Sequence, residues 1–114
     1  MYNVGEKVWA FEKEINYLRG TVTDVSGSQV TVLTDGGITV RNDLSTDKNL
    51  IVPDITPDVR CVNPGARVIA DWNNHEPFYL ATIVKEKEGL WNVRYDDNYV
   101  SDVAFAKLRL LPVQ

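Results

Sequence analysis

Five side chains in the second half of the chain are of types that together could hold a cation: Trp72, Tyr79, Tyr95, Asp97 and Tyr99. Three of them fall in the run YDDNYVSDV, Tyr95 to Val103, whose central Asp and Asn residues mark a hairpin turn. Asp and Asn serve a turn by bonding the local backbone, but two large rings have no such local use. The face of an aromatic ring is electronegative, so rings set as walls attract a cation. A methylated ammonium suits them because its methyl groups lower the cost of leaving water. Each ring contact is worth ~0.5–2 kcal/mol. A carboxylate among the walls adds selection, since mono- and dimethylammonium keep an N–H to donate to it and trimethylammonium has none. On this reading the hairpin supplies one wall and the floor of a pocket, with Trp72 and Tyr79 as the remaining walls. The competing reading is that a small barrel needs large residues to fill a thin core.

The elements that must position these residues are legible because the chain repeats itself. VGEKVWA (Val4 to Ala10) lies over PGARVIA (Pro64 to Ala70), and NYLRGTV (Asn16 to Val22) over FYLATIV (Phe78 to Val84). VTVLTDGG (Val30 to Gly37) then meets WNVRYDDN (Trp91 to Asn98), and DLSTDKNLIVP (Asp43 to Pro53) meets DVAFAKLRLLP (Asp102 to Pro112). The order is kept and the offsets, 60, 62, 61 and 59 residues, drift little, so the chain holds two copies of one unit. Short segments rich in Val, Tyr, Trp and Thr alternate with turn clusters, and no sustained helical stripe occurs, which predicts an all-β class. Five short strands in about 50 residues are too few for a sandwich but can curl into a barrel. The expected organisation is two tandem SH3-like five-stranded barrels, residues 1–53 and 63–114, with a linker over 54–62. Units this small bury little surface alone and are expected to lean on each other.

The copies diverge at one kind of position. Trp72 is answered by Glu12, Tyr95 by Thr34, Asp97 by Gly36 and Tyr99 by Ile38, whereas Tyr17 and Tyr79 look shared. Core-type positions match instead: Val8 with Val68, Val22 with Val84, Val32 with Val93. The extra rings of the second copy are therefore not demanded by the fold. Trp91, alternating with Val93 and Tyr95, is expected in the core, and Trp9 and Phe11 in core or inter-barrel packing. Asp96 is expected to serve the turn, and Asn73, Asn74, His75 and Glu76 to form a solvated loop.

Composition narrows the function classes. The 114 residues are 44% hydrophobic and 25% charged, as in a folded globular domain, with net charge −4. That charge disfavours non-specific binding to nucleic acid and favours a basic partner. No apolar run reaches the ~18 residues of a membrane span, and no secretory signal is seen at MYNVGEKVW. A single Cys61 and a single His75 provide neither an internal disulfide nor a metal site, and no cofactor is expected. His75 has no nucleophile beside it, and Asp96 and Asp97, adjacent on what reads as a strand, point apart, so no catalytic role is expected.

IADWNNHEPFYLATIV followed by VRYDDNYVSDV resembles a Tudor domain, over roughly Asn63 to Pro112. The spacing of Trp72, Tyr79, Tyr95, Asp97 and Tyr99 is similar to the cage in the tandem Tudor module of DNA-damage checkpoint mediators, which binds dimethyl-lysine on histone tails. The resemblance implies Trp72, Tyr79, Tyr95 and Tyr99 as walls and Asp97 as the carboxylate. It implies a nuclear, monomeric chromatin-reader module of a larger protein, with a methylated histone tail or another methylated basic peptide as partner. In that family the cage lies in the first unit, whereas here it lies in the second. VGEKVWAFEKEINYLRGTV resembles an SH3-like barrel only in outline and is also similar to the small domains that begin myosin motors. A methylarginine ligand, or a scaffolding or nucleic-acid-binding pair of barrels, is the alternative.

Overall fold

Alternation of apolar and polar residues along the chain yields ten strands, and among the described residues there is no α-helix. The structure is a computed structural model that describes residues 1–73 and 75–114; the side chain of His75 is outside it as well, so the expectations for Asn74 and His75 lie outside the described residues. Strands β1 (Lys7–Lys13), β2 (Asn16–Ser26), β3 (Gln29–Thr34) and β4 (Thr39–Asp43) form an antiparallel meander. β5 (Ile51–Pro53) then returns to pair with β1. The second half repeats the plan with β6 (Arg67–Trp72), β7 (His75–Lys87), β8 (Leu90–Tyr95) and β9 (Val100–Val103), and β10 (Leu108–Leu110) pairs back onto β6. The all-β architecture of two SH3-like five-stranded barrels is thus the observed one.

Each barrel closes by bending its longest strand. β2 breaks register between Val22 and Asp24, and β7 does so at the equivalent place, between Ile83 and Lys85. An irregularity of this kind sharpens local twist and lets one strand serve both walls of a small barrel. The first core gathers Val8, Val22, Val30, Val32 and Ile51, and the second Val68, Ile83, Val93, Tyr95 and Leu108.

The strand pairings correct the alignment of the two copies at two places. Val8 opposes Gly20 on β2 and Val68 opposes Ala81 on β7, which makes Leu18, and not Tyr17, the counterpart of Tyr79. Tyr17 corresponds to Phe78, and Val22 to Ile83 rather than Val84: Ile83 is 1% exposed and Val84 40%. Matching letters favoured a register one residue off, and in a strand a slip of one sends every side chain to the other face. The closing strands shift too, with Ile51 opposite Ala10 and Leu108 opposite Ala70.

The barrels are fused through these same residues. β2 pairs antiparallel with β7, Asn16 facing Tyr79 and Tyr17 facing Phe78, so one sheet runs through both units. Tyr17 thus pairs with its own counterpart, and a local two-fold axis passes between them. Over this seam lies a third core of Trp9, Tyr17, Val52, Ile69, Phe78 and Leu111, in which Trp9 stacks on Phe78 with ring centroids 3.8 Å apart. Trp9 therefore packs between the barrels, and Phe11 packs against the same cluster, edge-on to Tyr17.

The segment expected as a plain linker contributes directly. Asp54 accepts from Trp9 Nε1 and from Arg109 Nε, both at 2.9 Å, with Arg19 Nη1 3.9 Å away. Its side chain is 14% exposed and ties residues of both barrels together. Asn49 clasps the backbone of Val113 through both its amide oxygen and nitrogen, at 2.8 and 2.7 Å. Burial pushes the Asp54 carboxyl up, but the bonds from Trp9 and Arg109 outweigh it and hold the group below the usual carboxylate range. Its contribution is thus fully present above an unfolded value of about 3.9 and is lost as pH falls through the lower folded value. Asp54→Ala is expected to lower stability by roughly 2–3 kcal/mol, because it strips partners from a buried guanidinium and an indole N–H. Urea unfolding at pH 7 and pH 3 measures this: the gap between wild type and variant narrows at pH 3.

Candidate functional site

Trp72, Tyr79, Tyr95, Asp97 and Tyr99 line one pocket, with a cavity of about 120 Å³ open to solvent. Trp72 ends β6, Tyr79 lies on β7, Tyr95 ends β8, and Asp97 and Tyr99 sit in the turn leading to β9. Trp72 meets Tyr79 edge-on, centroids 6.2 Å apart at 82°, and lies 6.0 Å from Tyr99 at 54°. Tyr79 in turn meets Tyr95 at 6.2 Å and 90°. The rings form a box of tilted walls rather than a parallel slot. Drug-sized ligands occupy roughly 300–1,000 Å³, so a cavity of this volume takes a small head group.

The turn is built by the same bonds in both barrels. Tyr95 N–H donates to the Tyr99 carbonyl at 2.8 Å, as Thr34 N–H does to that of Ile38, and Asn98 N–H donates to the Tyr95 carbonyl at 2.8 Å. Asn98 takes a left-handed φ of 75°, where the first barrel has Gly37 at 92°; Asn is among the few side-chain-bearing residues that accept it readily. Asp97 lies in this turn and not on a strand, and its Oδ1 accepts from Tyr99 N–H at 3.1 Å. That bond fixes the carboxylate at the pocket while Oδ2 carries no hydrogen bond among the described residues. Asp96 serves the turn, as expected, but through a partner far along the chain. Arg67 grips it with two bonds of 2.7 and 2.8 Å, and also donates to Thr82 Oγ1 at 3.0 Å. The fork anchors the turn to the barrel wall and lowers the Asp96 carboxyl, burial opposing.

The walls are not equal. Tyr95 is 2% exposed and belongs to the second core as well as to the pocket, so the core-filling reading holds for this ring. Its hydroxyl donates to the backbone carbonyl of Asp71, and burial pushes its pKa up to about 12. Trp72 and Tyr79 are half-buried, and Tyr99 is 63% exposed. Trp91 is in the core beside Phe105. Asn73 and Glu76 are exposed, as are Lys85 to Glu88 and Cys61.

The first barrel has the same depression without the rings. Leu18, Thr34, Gly36 and Ile38, the counterparts of Tyr79, Tyr95, Asp97 and Tyr99, line a cavity of about 180 Å³ together with Arg19 and Glu76. With Tyr79 answered by Leu18, all four rings are particular to the second copy. A larger groove of about 610 Å³ runs between the first barrel and the chain ends, past Met1, Tyr2, Leu44, Pro53 and Val113, but no ring cluster or convergent charge marks it. Among the described residues no group of three or more His, Cys, Asp or Glu side chains could hold a metal.

No family model and no curated protein matches the chain. Solved structures do. The AGD34 portion of Arabidopsis thaliana AGDP1 superposes with a TM-score of 0.63 at 15% identity, over 96% of this chain and 82% of that one. The tandem Agenet domain 3-4 of ADCP1 does so with a TM-score of 0.61 at 14% identity, over 96% of this chain and 80% of that one. At such identity the likeness is one of fold alone, two small β-barrels in tandem. The resemblance to checkpoint-mediator Tudors is not among these likenesses and is carried by the quoted residues alone.

The unequal burial separates binding from folding. Tyr99→Ala is expected to change stability by less than about 0.5 kcal/mol, and Tyr95→Ala to cost roughly 3–5 kcal/mol, as for other buried aromatics. Thermal melts of the two variants beside wild type measure this.

Proposed function

We propose that this chain is a chromatin-reader module that binds a methylated lysine, mono- or dimethylated in preference, on a histone tail or another basic nuclear protein. One observation carries the reading: four rings and a carboxylate from β6, β7, β8 and the following turn surround a small cavity open to solvent. The rings offer the cation their faces and the methyl groups apolar contact. Asp97 Oδ2 offers an acceptor to the remaining N–H. A net charge of −4 assists encounter with a basic tail. The tandem Agenet domains among the structural neighbours support reading this chain as a binding module.

A methylarginine guest is favoured less, because a flat guanidinium calls for parallel rings and these stand 54° to 90° apart. The acidic balance weighs against nucleic acid. Affinity is expected near the micromolar range, about −8 kcal/mol, because one side chain anchors a peptide that must be ordered.

Calorimetric titration with un-, mono-, di- and trimethyl-lysine peptides of one sequence tests the proposal; equal affinity for all four removes it. Trp72→Ala is expected to weaken dimethyl-lysine binding about tenfold or more, the loss of one or two ring contacts. Asp97→Asn keeps the shape of the side chain and loses the charge, so the preference for dimethyl over trimethyl is expected to fall while the melting temperature stays within about 2 °C of wild type.

A further inference from the structure

Beside the cage lies a second pocket, about 230 Å³, lined by Asp71, Asn73, Ser101, Asp102 and Lys107 among others. We propose that it receives an unmodified basic side chain, lysine or arginine, of the same peptide whose methylated lysine fills the cage. The inference rests on the methyl-lysine reading for what occupies the cage, but the pocket carries its own argument.

Asp71 is 6% exposed, and its carboxylate makes no hydrogen bond or ion pair among the described residues. Neither oxygen is sealed from solvent, since no buried side-chain atom is left without a partner. The carboxylate therefore reaches water through the pocket it lines. The carboxylate has no cationic partner among the described residues, and a guest ammonium or guanidinium supplies one in a charge-assisted bond. Asp102 adds a second negative charge at the rim, with one oxygen already held by Asn92 Nδ2 at 2.9 Å. The Ser101 hydroxyl is a further acceptor on the lining. Lys107 is exposed and no nitrogen of it lies within 4 Å of either carboxylate, so the site is not closed by an internal ion pair.

One covalent link and one hydrogen bond tie this pocket to the cage. Asp71 and Trp72 are consecutive on β6, one lining each cavity. The Tyr95 hydroxyl, at the far end of a cage wall, donates to the Asp71 carbonyl. An extended peptide advances about 3.3 Å per residue, so with neighbouring residues of β6 lining the two pockets, side chains two to four positions apart are the pair the proposal assigns to them. The module would then read a methylated lysine together with a nearby positive charge, and a basic residue at that spacing becomes part of its specificity.

The test uses four peptides, with dimethyl-lysine or unmodified lysine, each with Arg or Gln at the flanking positions two to four away, against wild type and Asp71→Asn. For wild type, Arg to Gln is expected to weaken binding about tenfold, and for Asp71→Asn less than twofold. An equal loss in both proteins overturns the inference while leaving the cage reading intact. An NMR titration separates the two readings from the other side. The unmodified Arg peptide is expected to move the amides of Ser101 and Asp102 in wild type and not in Asp71→Asn, whether or not methylation improves binding. If those amides stay still in wild type, the pocket is not a cation site. Should Asp71→Asn fail to fold, Ser101→Arg places a tethered cation in the pocket: loss of the flanking-charge effect with methyl preference kept supports the inference, and an unchanged flanking effect overturns it.

Discussion

The antiparallel pairing of β2 with β7 is the constraint on which the rest of the molecule depends. A barrel of about 50 residues buries too small a share of its surface to be robust by itself. Here the shortfall is met by joining two of them edge to edge, Tyr17 against Phe78, and by laying Trp9, Ile69 and Leu111 over the join. The segment after β5 is drawn into the same task, since Asp54 accepts from Trp9 and Arg109 at once. The seam also sets the site. Tyr79 follows Phe78 on β7, so the residue that locks the barrels together places the next ring on the opposite face, at the cage.

Within that frame the two copies illustrate how one backbone carries two surfaces. The hairpin bonds of Thr34 with Ile38 and of Tyr95 with Tyr99 have the same pattern and length. The left-handed position is filled by Gly37 in one and Asn98 in the other. What differs is side chains alone: Leu18, Thr34, Gly36 and Ile38 on one side, three tyrosines and an aspartate on the other. Duplication thus left the barrel intact while the ring cluster belongs to a single copy. Among the rings Tyr95 is a buried member of the core, with Trp72 and Tyr79 packed against it, and the bond from its hydroxyl to Asp71 links the cage to the strand behind it.

Much of this was legible in the sequence. Alternation and turn clusters gave away the all-β class because barrel strands are short and half-buried, and the rings of the second copy stood out against a repeat that lacked them. The misreadings have physical causes. Tyr17 looked like Tyr79 because both precede leucine, yet the pairing of Val8 with Gly20 and Val68 with Ala81 fixes a register one residue away. Asp54 read as linker because its partners Trp9, Arg19 and Arg109 lie far from it along the chain. Asp96 was rightly placed in the turn, but its ion pair was missed because nothing local hints at Arg67. Asp71, between Ala70 and Trp72, looks like any polar residue of an alternating strand, and only burial without a partner sets it apart.

The shared sheet has a further consequence for how the molecule can be divided. Cutting the chain between the barrels would strip β7 of its neighbour at Phe78 and Tyr79 and uncover Ile69 and Leu111. A freed strand border beside fresh greasy surface is a template for self-association, so an isolated half would tend to clump rather than report the behaviour of a single barrel.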